Sequence, residues 1–162
     1  MKNNNLKIKE TFSSALQHHQ KNNFNIAEGL YKEILKIQPN HFESVFYLGS
    51  LLVQTKNFDK AKQLLQKAIQ INPHFAAAYN NLGITFIELG EDKKAMSYFQ
   101  KAIQIKPDFE NAYYNLGVAF KQLNEFRKAI NSYEKAIQIN PNYVMAYNAV
   151  SYTHLTLPTS DL

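Results

Sequence analysis

The chain of 162 residues contains no Cys and no Trp, and 18 Lys and Arg against 13 Asp and Glu give it a formal charge of +5. That composition excludes a disulfide framework and a thiolate metal site. No apolar run is long enough to span a bilayer, and Met1-Lys2-Asn3-Asn4-Asn5 has no signal-peptide core, so no membrane span and a cytoplasmic location are expected.

The excess positive charge lies in residues 1–75, but its Lys residues fall on several faces with no aromatic stacking groove among them. They read as a solvated surface, and no nucleic acid is expected as a partner.

In chain order, residues 1–7 form an N-terminal extension and a faint first row covers about 8–41. That row carries Ala27, Tyr31, Ile34 and Pro39, but Thr11, Ala15 and His18 where later rows have bulk, Gly and an aromatic. Rows of about 42–75, 76–109 and 110–143 follow, and the pentapeptide Lys-Ala-Ile-Gln-Ile recurs at 67–71, 101–105 and 135–139. A repeat of that length is the mark of stacked helical hairpins. The columns align Gly49, Gly83 and Gly117, then Ala61, Ala95 and Ala129, then Leu65, Phe99 and Tyr133, then Pro73, Pro107 and Pro141.

Gly and Ala are expected where the two helices of a pair cross closely, while Tyr79, Leu82 and Phe86 bury one stripe of a first helix. Asn40, Asp108 and Asn142 each follow a Pro and are expected as N-caps. Turns inside the hairpins are expected near Asn22–Asn23, Lys56–Asn57, Gly90 and Asn124.

Tyr79-x-x-Leu82-Gly83-x-x-Phe86 followed by Ala95-x-x-x-Phe99, Ala102 and Pro107 resembles the tetratricopeptide repeat (TPR) pattern, with Tyr for the usual Trp. The resemblance implies an all-α fold, a right-handed α-solenoid of antiparallel helix pairs with four full repeats and a truncated fifth first helix. The repeat domain would span 8–149, the partial repeat being 144–149.

Residues 150–162 break the pattern. Val150–Thr159 resembles a translated transposase-based sequencing adaptor, GTC TCT TAT ACA CAT CTG ACG CTG CCG ACG, and 150–162 is read as a non-native tail. A helix is still expected from about Asn142 to near Leu155, with Tyr147 docked and the cover of Ile130, Tyr133 and Ile137 incomplete. Self-association through this uncapped last repeat is expected.

Catalytic signatures are missing from the sequence. His18 and His19 point about 100° apart on a helix and read as packing or exposure, with no metal and no cofactor implied. Glu91-Asp92 reads as a helix-start charge pair, and no phosphate loop, His-Glu-x-x-His or nucleophile elbow occurs. The segment is not expected to be an enzyme.

What the resemblance adds is a concave groove lined by first helices, suited to a protein or extended peptide. Carried over by column, its candidates begin with Phe12, Leu16 and His19, then Phe46, Tyr47, Ser50 and Gln54. Asn80, Asn81, Ile84 and Glu88 continue it, and Asn111, Tyr114, Asn115, Val118 and Gln122 end it. Phe12 and Tyr114 could equally pack between rows.

Asn81 and Asn115 resemble two rungs of the asparagine ladder of O-linked N-acetylglucosamine transferases. The column of the chaperone-tail clamp reads Phe12, Phe46, Asn80 and Tyr114, without the basic residues that clamp needs. Similar bacterial repeats often precede glycosyltransferase or sulfotransferase domains. The alternative expectation is therefore a fragment, the N-terminal substrate-binding arm of a longer enzyme.

Overall fold

The computed structural model describes residues 2–156, with side chains from Asn4 onward. Its helices are α1 (Lys2–Gln20), α2 (Phe24–Ile37), α3 (Phe42–Gln54), α4 (Phe58–Ile71), α5 (Ala76–Glu88), α6 (Asp92–Ile105), α7 (Glu110–Gln122), α8 (Phe126–Ile139) and α9 (Val144–Leu155). Residues 2–7, expected as an extension, are the opening turns of α1. None of these helices is long and apolar enough to cross a membrane.

Two compact units divide between Pro73 and His74. In the first, α1 packs on α2, α2 on α3 and α3 on α4. In the second, the same succession runs from α5 to α9, and α5 also touches α7.

Each hairpin turns by one device. The second residue after the first helix takes φ of +60° at Asn22, Lys56 and Asn124 and +73° at Gly90, which are the four expected turn positions. The amide after it reaches back to the fifth residue before, as in Asn57 N–H to Leu52 O at 2.8 Å and Glu91 N–H to Phe86 O at 2.8 Å. The left-handed residue's own amide bonds the third residue before, as Lys56 N–H does to Val53 O at 3.1 Å. This pair of bonds is the Schellman motif, which uses carbonyls the helix end leaves open.

Where each pair closes, the small residues do something other than expected. A Cβ on Gly83 would lie 2.5 Å from the Phe99 ring, and one on Gly117 2.5 Å from the Tyr133 ring. On Gly49 it would meet Leu65 Cγ at 3.0 Å. The glycine is thus a socket for the large side chain of the second helix. The small Ala95 is not among the nearest neighbours of the missing Cβ. Phe99 is 0% exposed and Tyr133 1%, so neither ring has room to retreat. The first row keeps a milder version, with Ala15 in the glycine column and Tyr31 in the ring column, both fully buried.

The expected caps also move by one residue. The N-cap positions are His41, Phe109 and Tyr143, not Asn40, Asp108 and Asn142. His41 Nδ1 accepts from the Ser44 amide at 3.2 Å. Phe109 and Tyr143 make no side-chain cap bond. Their rings serve other contacts: Lys106 lies 5.2 Å over Phe109, and the Tyr143 hydroxyl donates to Asn111 Oδ1 at 2.7 Å.

At the end of the second unit α9 covers α8 better than expected. Ile130 is 7% exposed and Tyr133 1%, Ala146 and Thr153 of α9 are fully buried, and of the three residues expected to be poorly covered only Ile137 stays half-buried. Tyr147 does not dock and is 48% exposed, because the ring in its column needs a second helix beside it, as Tyr79 has Tyr98 of α6. The apolar surface left open belongs to α9 itself, at Val144, Met145, Tyr147, Tyr152 and Leu155.

Candidate functional site

Each unit carries a cavity lined mainly by first helices. In the first unit Leu16, His19 and Gln20 of α1 face Phe46, Tyr47, Ser50 and Gln54 of α3 around a space of about 470 Å³. All four residues expected from the second row are therefore brought together here. Phe46 is nearly buried, and Tyr47 stacks on Tyr31 at 6.3 Å and meets Phe46 at 5.2 Å. Phe12 packs between rows, its ring 5.7 Å from Tyr47 and 5.6 Å from His41.

The polar floor of this cavity is His19, 9% exposed. Its Nδ1 is 3.3 Å from the fully buried Tyr31 hydroxyl, and its Nε2 is 3.3 Å from Gln54 Oε1. An amide oxygen can only accept, so Nε2 carries the proton, and Nδ1 is left to accept from Tyr31. Both partners suit a neutral ring.

Burial lowers the His19 pKa below 6.5, and the bond to Gln54 opposes this only in part. As pH falls, the unfolded chain therefore takes up the proton before the folded one. The stability contributed by His19 is whole above about 6.5 and is lost progressively below it, down through the lowered folded value. In an NMR titration the His19 ring should show a midpoint below 6.5; a midpoint at or above that value would contradict the assigned bonding.

In the second unit Tyr114, Val118, Lys121 and Gln122 of α7 face Met145, Asn148, Ala149 and Tyr152 of α9 around about 550 Å³, with Tyr133 of α8 beneath, so the adaptor-like segment contributes one wall. Tyr114 both lines this space and packs, its ring 5.6 Å from Tyr133 and 5.3 Å from Tyr143. Burial first, and then the neighbouring Tyr114, push the Tyr133 hydroxyl up to about 12, so it stays protonated at any ordinary pH.

The remaining candidates line neither cavity. Asn80 is 5% exposed and its Oδ1 accepts from Asn115 Nδ2 at 2.9 Å, tying α5 to α7. Asn80 Nδ2 in turn approaches Asn81 Oδ1 at 3.5 Å. The two expected rungs are thus not equivalent: Asn115 holds the buried Asn80, and replacing it would cost stability as well as any ligand contact. Ile84 is half-buried, and Glu88 and Asn111 are exposed.

Two cavities set mainly by the first helices of stacked pairs, floored by a ring from the second helix, define a repeat scaffold built to hold something. Tetratricopeptide repeat models match residues 110–143 and, in a second form, 18–82 and 52–116. The chain belongs to the tetratricopeptide repeat family.

Among solved structures it is similar to MamA, at 30% identity and a TM-score of 0.77, covering 87% of this chain and 82% of that one. YrrB, a TPR protein with an unusual peptide-binding site, shares the fold at 17% identity and a TM-score of 0.71, over 90% of this chain and 75% of that one. A Thermobaculum terrenum O-GlcNAc transferase mutant shares it at 23% identity and a TM-score of 0.79, over 83% of this chain but only 26% of that one. A comparison with curated proteins finds no match.

Proposed function

We propose that the chain is a protein-binding scaffold that holds extended peptide segments in the cavities of its first helices, and that it has no catalysis of its own. The observation that carries this reading is the first-unit cavity. Phe46 and Tyr47 offer ring surface beside the amide of Gln54 and the hydroxyl of Ser50, a mixture that suits apolar side chains and peptide groups together. A peptide-binding site is also ascribed to YrrB, which has a similar fold.

A direct test pans a displayed peptide library on the full chain and repeats the binding with Ser50→Arg, which fills the cavity, and with Lys62→Arg on α4 outside it. Selected peptides should lose at least about tenfold in affinity with Ser50→Arg and nothing with Lys62→Arg. Equal affinity for all three proteins would place the contact elsewhere.

A second reading, the N-terminal arm of a longer glycosyltransferase or sulfotransferase, draws on the likeness to a quarter of the O-GlcNAc transferase chain and on the linked amides of Asn115, Asn80 and Asn81. The uninterrupted gene beyond Ala149 decides it. Self-association through the exposed α9 residues Val144, Met145 and Leu155 belongs to the scaffold reading, and a concentration-independent monomer in sedimentation would dismiss it.

A further inference from the structure

A hydrogen-bond chain runs beneath the first-unit cavity, and each of its links has a fixed direction. The fully buried Tyr31 hydroxyl donates to His19 Nδ1, and His19 Nε2–H donates to Gln54 Oε1. With its oxygen committed to His19, the Gln54 amide turns its nitrogen the other way. Nε2 carries two N–H donors, and neither has a partner among the described residues. Gln54 lines the cavity as the last residue of α3, so those donors open on it.

Bulk alone does not call for such a chain. In the next two rows the columns of Tyr31 and His19 hold Leu65 with Val53 and Phe99 with Ile87, apolar pairs that occupy the same columns with no polar atom to satisfy. Burying a Tyr and a His costs both of them hydration, and what the pair adds is an amide held in one orientation. The cavity above is uncharged: among the described side chains that line it, none is Lys, Arg, Asp or Glu. The side-chain amide of Gln20 lines it too and makes no hydrogen bond among the described residues.

We propose that this cavity takes the Gln side chain of a bound peptide, and that Gln54 is the residue that selects it. Gln54 Nε2–H donates to the side-chain carbonyl oxygen of the ligand, and Gln20 Oε1 accepts from the ligand's amide nitrogen. The aliphatic part of the ligand side chain lies against Leu16 and the Tyr47 ring. Tyr31 and His19 act through Gln54, as positioning residues. A Glu in the same place would bring a charge to a site with no counter-charge, and a Met would leave the Gln54 donors unpaired. A space of about 470 Å³ holds one such side chain with its flanking backbone. The inference rests on the scaffold reading and names what the first-unit cavity selects.

The test titrates acetyl-Leu-Gln-Leu-amide into the full chain, and beside it the same peptide with Met or with Glu in place of Gln. Both ends are capped, so no terminal charge takes part. The Gln54 side-chain amide protons and the Leu16 methyls are followed by NMR. The Gln peptide should bind at least about threefold more tightly than either relative, as one net hydrogen bond implies, and should move the Gln54 amide protons downfield. Gln54→Glu keeps an acceptor for His19 Nε2–H but has no donor, and should erase the preference for Gln over Met. His19→Leu frees the Gln54 amide to rotate. The preference should then fall below about twofold while the Met peptide binds as before.

Met or Glu peptide binding as tightly as Gln, none of the three saturating, or a preference that survives Gln54→Glu would overturn the inference. So would a His19→Leu variant that weakens the Gln and Met peptides alike, the mark of a merely structural His19. Panned peptides that lose affinity with Ser50→Arg while these capped peptides show no preference for Gln would overturn this inference and leave the scaffold reading standing.

Discussion

Replacing Gly83 by Ala lowers the stability of the second unit by about 1–3 kcal/mol, although Ala is favoured over Gly inside a helix by about 1 kcal/mol. The added methyl would sit 2.5 Å from the Phe99 ring, and that ring is fully buried. Either α5 moves away from α6 or the ring leaves its rotamer, and both cost more than the helix gains.

Gly29→Ala serves as the opposite case, because nothing lies within 4 Å of its missing Cβ and it sits on the exposed side of α2. It should stabilise by about 0.5–1 kcal/mol. Gly49→Ala falls between them, with Leu65 Cγ at 3.0 Å and a flexible side chain that can yield. Hydrogen exchange of each unit reads these effects separately, which matters in a repeat protein whose parts need not unfold together. Gly83→Ala at wild-type stability would show that the ring does not need the socket.

One substitution made twice in one column gives the second large contrast. Tyr31→Phe should cost about 1–3 kcal/mol, because it strips the donor from His19 Nδ1 and leaves that nitrogen unpaired in a buried site. Tyr133→Phe should change stability by less than about 0.5 kcal/mol, since its hydroxyl bonds nothing in the described structure. Denaturation of the two variants under one condition checks this. Equal losses would mean that Tyr133 has a structural partner.

The repeat period carried most of the fold on its face. The recurrence of Lys-Ala-Ile-Gln-Ile gave the register, and Asn22, Lys56, Gly90 and Asn124 gave the turns, because a left-handed residue must close each hairpin at the same count. Columns say which residues are equivalent but not which columns meet. Gly83 and Phe99 each stood out in the sequence, yet that one is the socket of the other depends on how far a ring reaches across the crossing.

The capping residues were misplaced for a similar reason. Aromatic rings at Phe109 and Tyr143 hold their place through side-chain contacts and leave the helix start to backbone bonds. Asn80 and Asn81 are neighbours in sequence but turn about 100° apart on a helix, so of two residues both expected to line the groove, Asn80 is the buried hub.

His19 read as packing or exposure and as a groove candidate in a faint row, and only the bond from Tyr31 shows how its ring is held in the cavity floor.

The central claim is that bound peptide lies against the first helices. Methyl-labelled full chain titrated with a panned peptide tests it most directly. The account predicts that the methyls of Leu16 or Val118, inside the two cavities, shift and saturate while those of Ile26 and Ile37, exposed on α2, stay where they are. Shifts confined to Ile26 and Ile37, with Leu16 and Val118 unmoved, would put the partner on the second helices and contradict it.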